Sequence, residues 1–130
     1  MPTQRMVAIV EDDPSARAAL VSLVHALDYC AWDFADPLDF LASRASLTAV
    51  CLIADVRLPG ISGVTLFHRL QLRGIALPTI LITAFPDAES RLQALAAGVL
   101  AYLAKPVAPD ELQRALGAAV SGRGPRGLGN

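Results

Sequence analysis

The sequence predicts an α/β domain, a five-stranded parallel sheet covered by helices on both faces. Three observations carry this expectation. Five short apolar runs alternate with segments of helical periodicity, the pattern of repeated strand–helix units. The runs are continuous rather than alternating, as strands buried on both faces require. Of the 130 residues, 54% are hydrophobic and 18% charged, which is enough to bury one core and too apolar for a disordered chain.

The first run, Met6–Val10, stops abruptly at Glu11, Asp12 and Asp13. Asp13-Pro14 then supplies an N-cap followed by proline at the first helical position. Ala18, Leu20, Val21, Val24 and Leu27 fall at helical spacing, so a helix is expected to about Leu27. Cys30–Phe34 reads as the second strand. Asp36-Pro37 repeats the cap-plus-proline signal and opens a short helix carrying Leu38, Phe40 and Leu41. The third strand is expected at 49–54, just before Asp55, and a loop rich in glycine and proline follows. Ser62 is placed to cap a helix bearing Val64, Leu66, Phe67 and Leu70. Pro78 precedes a fourth strand at Thr79–Thr83. A helix from about Asp87 carries Leu92, Leu95 and Ala96, and Gly98 suits its left-handed C-terminal cap. The fifth strand is expected at 99–104, and Pro109 opens a last helix through about Val120. Residues 1–120 thus read as one domain. Residues 121–130, with four glycines and one proline, read as a tail or the start of a linker.

Charge and composition exclude several classes. Eleven basic against twelve acidic residues leave a net charge of −1, which removes a strong basic footprint for nucleic acid. No run approaches the ~18 apolar residues of a membrane span, and the opening residues lack the apolar core of a signal peptide. Cys30 and Cys51 sit in apolar runs without metal-ligand spacing and read as core thiols of a reducing compartment. A small soluble cytoplasmic domain is expected.

In open parallel sheets, ligands bind at the carboxyl ends of the strands. Those positions hold Glu11, Asp12 and Asp13 after the first strand, Asp55 after the third, Thr83 ending the fourth, and Lys105-Pro106 after the fifth. The eleven bases are ten arginines and a single lysine, and Lys105 is that lysine. Clustered carboxylates repel, and a divalent cation relieves the repulsion. Oxygen donors with several retained waters suit Mg²⁺. A carboxylate beside Mg²⁺ and an ammonium is the arrangement for phosphoryl transfer to aspartate.

The residues V-E-D-D-P, D-V-R-L-P-G-I-S-G, L-I-T-A and K-P resemble the receiver domain of two-component response regulators, the CheY-like family, most closely its FixJ/NarL branch. The resemblance covers about residues 6–120. It implies a flavodoxin-like (βα)5 doubly wound sandwich with strand order 2-1-3-4-5. It implies that Asp55 is the phosphoacceptor, supplied by a sensor histidine kinase. Mg²⁺ would be held by Asp12 and Asp55, by the backbone carbonyl of Arg57, and by Glu11 through water. Thr83 would be the switch hydroxyl, Lys105 the phosphate-binding ammonium, Tyr102 the switch aromatic and Lys105-Pro106 a cis peptide. Output would pass through the fourth predicted helix, the fifth strand and the fifth helix, a face that often forms a homodimer. Such receivers are not enzymes in the ordinary sense, although they assist their own phosphorylation and dephosphorylation. In this branch a C-terminal DNA-binding domain usually follows, so the chain is expected to be a receiver cut from a transcription regulator, or else a stand-alone one.

Three departures stand out. Glu11 occupies a place where the family more often has aspartate. Ala108 gives up a serine cap worth about 0.5–2 kcal/mol, so the last helix is expected to start weakly. Phe85 lies two residues past Thr83, where it could screen an acyl phosphate from water and prolong its lifetime. Read alone, Tyr102 is a packing aromatic, Trp32 belongs to the edge or face of the sheet, and His25 and His68 are surface residues. Competing functions fare worse. An aspartate-nucleophile phosphatase needs a second acid where Arg57 stands, and a flavin carrier needs a phosphate loop where three acids stand. A docking module that works without phosphorylation leaves the acid–threonine–lysine set unused.

Overall fold

The computed structural model describes residues 5–126. It contains β1 (Met6–Val10), α1 (Pro14–Ala26), β2 (Cys30–Phe34), α2 (Pro37–Ala42), α3 (Ala45–Thr48) and β3 (Cys51–Asp55). There follow α4 (Gly63–Leu72), β4 (Thr79–Thr83), α5 (Ala88–Ala97), β5 (Ala101–Ala104) and α6 (Pro109–Arg126). Four short polar side chains start helices as their positions predict. Asp13, Asp36, Ser62 and Asp87 accept hydrogen bonds from the backbone N–H of Ala16, Leu38, Thr65 and Ser90. Hydrogen bonds from the Ser90 hydroxyl and N–H hold the Asp87 carboxyl below its ordinary value. That cap is therefore present above the carboxylate range and lost as pH falls through it. Gly98 closes α5 at φ 113°, in the left-handed region its lack of a Cβ permits.

All strands are parallel, in the order β2-β1-β3-β4-β5. The chain winds outward from β1 in both directions, so the strand order reverses between β1 and β3, whose ends carry Glu11 and Asp55. Every residue of β3 and β4 is buried. Alternate side chains feed two cores. On one face Leu20 and Val24 of α1 and Leu112, Leu116 and Ala119 of α6 pack on Val7, Ile9, Ile53, Ile80 and Ile82. On the other, Phe40, Leu66, Phe67, Leu70 and Ala94 from α2, α4 and α5 pack on Ala8, Val10, Leu52, Ala54 and Leu81.

The structure corrects several boundaries. β3 and β5 start two residues late because Ala49 N–H closes onto Ala45 O at the end of α3, and Val99 N–H onto Ala94 O at the end of α5. The third strand reaches Asp55 instead of stopping before it, so the acid is held by the sheet itself. The short α3 was not expected, and it makes the last two helices α5 and α6. The last helix continues past Val120 to Arg126 despite Gly122 and Gly124, each about 1 kcal/mol worse than alanine in a helix. Residues 127–130 of the expected tail lie outside the described residues. Leu92 points outward and is 64% exposed, while Ala94 is the residue α5 buries. Cys51 is buried as expected, but Cys30 is only half-buried on the edge strand. Trp32 lies on that edge, stacked on Phe34 at 5.6 Å, and His25 and His68 are exposed.

One glycine ties the fold to the site. A Cβ on Gly63 would lie 2.4 Å from the Asp55 carbonyl oxygen, and Gly63 N–H donates to Val56 O at 2.9 Å. The first turn of α4 therefore presses directly on the end of β3. Gly63→Ala is expected to destabilise the chain by about 1–3 kcal/mol in urea unfolding, because backbone must move to admit the methyl group.

Candidate functional site

Glu11, Asp55 and Lys105 come from the ends of β1, β3 and β5 and meet in one cluster. Lys105 Nζ donates to Glu11 Oε1 at 2.7 Å and also to Asp55 Oδ2. Glu11 is 1% exposed and Asp55 6%, whereas Lys105 reaches solvent. The remaining carboxylate oxygens are also engaged. Glu11 Oε2 accepts Asp13 N–H at 3.1 Å, and Asp55 Oδ1 accepts Arg57 N–H at 2.9 Å. The Lys105-Pro106 bond is cis, and Lys105 N–H donates to Thr83 O at 2.8 Å.

Two buried carboxylates face one ammonium, so the cluster is short of positive charge. Burial pushes the Glu11 carboxyl above its ordinary value, against the pull of the Lys105 and Asp13 donors, and the Asp55 carboxylate pushes the same way. Burial alone would lower Lys105, but Asp55 and Glu11 outweigh it and hold the ammonium above its ordinary value. A raised acid stabilises the fold fully below its ordinary 4.5 and loses that contribution as pH rises through its folded value. Glu11→Gln removes the disfavoured charge but keeps only one acceptor oxygen, so the bond from Lys105 or the bond from Asp13 N–H is lost. It is expected to flatten the fall of stability above the carboxylate range, as thermal melts across pH would show.

Thr83 is 2% exposed at the end of β4, and its hydroxyl oxygen accepts Phe85 N–H at 3.0 Å. Sheet register places it beside Ala104, with Ile82 beside Asp55. Phe85 itself is 63% exposed, and the Arg57 guanidinium lies 4.5 Å from its ring centroid. Tyr102 lies on the same sheet face as Leu81, between a cavity of about 220 Å³ bordered by His68 and Ser90 and one of about 330 Å³ bordered by Arg91 and Glu111. Asp12 and Asp13 are exposed, and Asp13 serves as the α1 cap.

The expected site residues therefore divide. Glu11, Asp55 and Lys105 are in contact and Thr83 adjoins them, while the Asp12 side chain stands at the rim. Among the described residues no three His, Cys, Asp or Glu side chains form a ready metal cage. The donor set nonetheless fits a small hard cation. The acids are oxygen donors carrying uncompensated negative charge, and Mg²⁺ needs few protein ligands because it keeps its waters. Two residues that matter were not singled out from the sequence: Gly63, and Arg17, whose side chain donates to Glu11 O at 2.9 Å.

Comparison with known proteins gives the family and the fold. A family described as the response regulator receiver domain matches residues 7–117. The chain is similar to the transcriptional regulatory protein TdiR of Thauera aromatica, 34% identical over 115 residues, covering 88% of this chain and 51% of that protein. It is similar to the transcriptional regulatory protein FixJ of Bradyrhizobium diazoefficiens, 27% identical over 120 residues, covering 92% and 58%. The crystal structure of FixJ-N superposes with a TM-score of 0.81 at 26% identity, covering 92% of this chain and 96% of that one. The chain spans about half the length of TdiR and FixJ, and 23–29% of the length of longer curated relatives. Among the described residues no helix is long and apolar enough to cross a membrane.

Proposed function

The chain belongs to the response regulator receiver domain family, and from that premise we propose that it is a phosphoacceptor switch in which Asp55 takes a phosphoryl group from a sensor histidine kinase with Mg²⁺. The observation that supports this most is the single ammonium of Lys105 bridging the buried carboxylates of Glu11 and Asp55. A structural ion pair needs one acid, and this cluster keeps a second one buried at the strand-order switch point.

Asp55 attacks as a carboxylate, so no general base is needed. One carboxylate oxygen forms the new bond to phosphorus while the bond to the donor breaks in line and its electron pair leaves with the donor. Arg57 N–H holds the other carboxylate oxygen and fixes the direction of attack. Lys105 moves from carboxylate to phosphoryl oxygen, where its charge meets the charge that develops. Asp12, Asp55, the Arg57 carbonyl and, through water, Glu11 would hold Mg²⁺, which supplies charge neutralisation at the phosphoryl oxygens. Thr83 already uses its oxygen as an acceptor from Phe85 N–H, which leaves its O–H to donate to the phosphoryl group. Movement of Thr83 would let Tyr102 exchange one flanking cavity for the other and so alter the α5–β5–α6 face. That face is where we place output and a homodimer contact.

Transcription is the assigned output, because TdiR and FixJ carry it in their names. With a net charge of −1, we assign any DNA contact to polypeptide outside these residues, and we place the protein in the cytoplasm.

Intact-protein mass spectrometry after incubation with acetyl phosphate tests the reading. One phosphoryl adduct that needs Mg²⁺ and is prevented by chelator is expected. An unmodified mass with both acetyl phosphate and donor kinases would favour a docking module that works without phosphorylation. We assign to the Phe85 ring, held against the Arg57 guanidinium, the role of keeping water from the acyl phosphate. Phe85→Asn is expected to speed loss of the adduct on the order of tenfold, equivalent to ~1.4 kcal/mol. An unchanged decay would remove Phe85 from that role.

A further inference from the structure

One charged side chain reaches the acid-bearing turn from the side away from Lys105. Arg17 is the fourth residue of α1 and closes its first turn. Its Nη1 donates to Glu11 O at 2.9 Å and, more weakly, to Asp12 O at 3.5 Å, while Nε pairs with Asp33 Oδ2 at 3.2 Å. Asp33 belongs to β2, so one guanidinium joins α1, the β1–α1 turn and the edge strand.

Three other backbone groups around this turn are partnered within the fold. Glu11 N–H donates to Phe34 O at 3.0 Å, Asp13 N–H to Glu11 Oε2 at 3.1 Å, and Arg17 N–H to Asp13 O at 2.8 Å. The carbonyls of Glu11 and Asp12 fall where the strand has ended and the helix has not begun. Arg17 takes both, and its planar, permanently charged fork suits a carbonyl and a carboxylate at once. Fixing those two carbonyls fixes the peptide planes on either side of Asp12, and with them the directions in which the Glu11 and Asp12 side chains leave the backbone. The Glu11 carboxylate is repelled by that of Asp55, a force that works against the turn unless something holds it.

We propose that Arg17, braced by Asp33, is a positioning residue that holds the Glu11–Asp12 turn so that its carboxylates face a divalent cation at Asp55. This rests on the phosphoacceptor reading above. It also makes a prediction opposite in sign to simple charge. Removing a nearby cation reduces repulsion and by Coulomb's law should tighten Mg²⁺ binding. Losing a positioning group should weaken it.

The test is calorimetric titration of Mg²⁺ into the full chain without phosphodonor, beside thermal melting in chelator. Arg17→Gln is expected to raise the Mg²⁺ Kd about tenfold, the low end of what partners behind a metal ligand contribute. Asp33→Ala, which leaves Arg17 in place but unbraced, should raise it by a smaller factor. Asp33→Asn keeps an acceptor for Nε and should bind like the wild type. Arg17→Lys keeps the charge without the fork and should resemble Arg17→Gln. If Arg17→Gln and Asp33→Ala bind Mg²⁺ as tightly as the wild type, or more tightly, the proposal is overturned even where Tm falls, because a purely structural brace moves Tm alone. If the wild type itself takes up no Mg²⁺, the phosphoacceptor reading falls and carries this proposal with it.

Discussion

Asp55→Asn is expected to abolish the phosphoryl adduct outright while leaving the chain folded. The amide nitrogen is no nucleophile, so the loss is complete rather than graded. Stability should change little, for two opposed reasons. The single amide oxygen can accept from Arg57 N–H or from Lys105, not both, so one hydrogen bond made by Asp55 is lost. Against that, one of two buried carboxylates disappears and Glu11 keeps Lys105 to itself. The check pairs intact mass with a thermal melt. A full-strength adduct on a folded Asp55→Asn chain would mean that the nucleophile lies elsewhere.

Lys105→Met carries the largest expected effect on stability. Methionine keeps the unbranched stem, one atom shorter, but leaves Glu11 and Asp55 buried without their shared ammonium. Removing one partner of a buried ion pair costs about 3–5 kcal/mol, and the partial exposure of Lys105 places the expected value at about 3. The loss should depend on pH in a defined direction. In the variant a carboxyl can relieve the repulsion only by taking up a proton, so the gap to wild type narrows as pH falls into the carboxylate range. At the other extreme, the raised Lys105 contributes stability that is present below its ordinary 10.5 and lost as pH rises through its folded value. Mg²⁺ should restore part of the lost stability, since a divalent cation can replace the missing charge. Adduct formation should slow about 100-fold, as when one donor to a developing oxyanion is removed. Urea unfolding at acid and neutral pH, with and without Mg²⁺, reads the stability effects. A gap indifferent to both pH and Mg²⁺ would contradict the charge account.

Much of this arrangement was legible because strand ends and helix starts are marked by abrupt changes of residue type. The apolar run of β1 meets three acids, β3 meets Asp55, and Asp-Pro twice announces a helix. Lys105 stood out as the lone lysine. What escaped depends on contacts that no local pattern encodes. Gly63 reads as one more loop glycine, and only the packed helix shows it touching the Asp55 carbonyl. Arg17 looks like an ordinary solvated helix residue until β2 brings Asp33 beside it. The short α3 has no side-chain cap to announce it, since Arg44 precedes it without a capping hydrogen bond. In α5 the apolar Leu92 suggested a buried face, yet close packing there favours the smaller Ala94.

The most direct test of the central claim is to locate the phosphoryl group. Borohydride cleaves an aspartyl phosphate reductively and converts that aspartate to homoserine, which survives digestion and sequencing by mass spectrometry. Trypsin cuts after Arg44 and Arg57, so Asp55 falls in the peptide 45–57, while Glu11, Asp12 and Asp13 fall in the peptide 6–17. After acetyl phosphate and Mg²⁺, homoserine is predicted at position 55 and nowhere else. Homoserine in the 6–17 peptide, with Asp55 intact, would contradict the assignment of Asp55 as the acceptor.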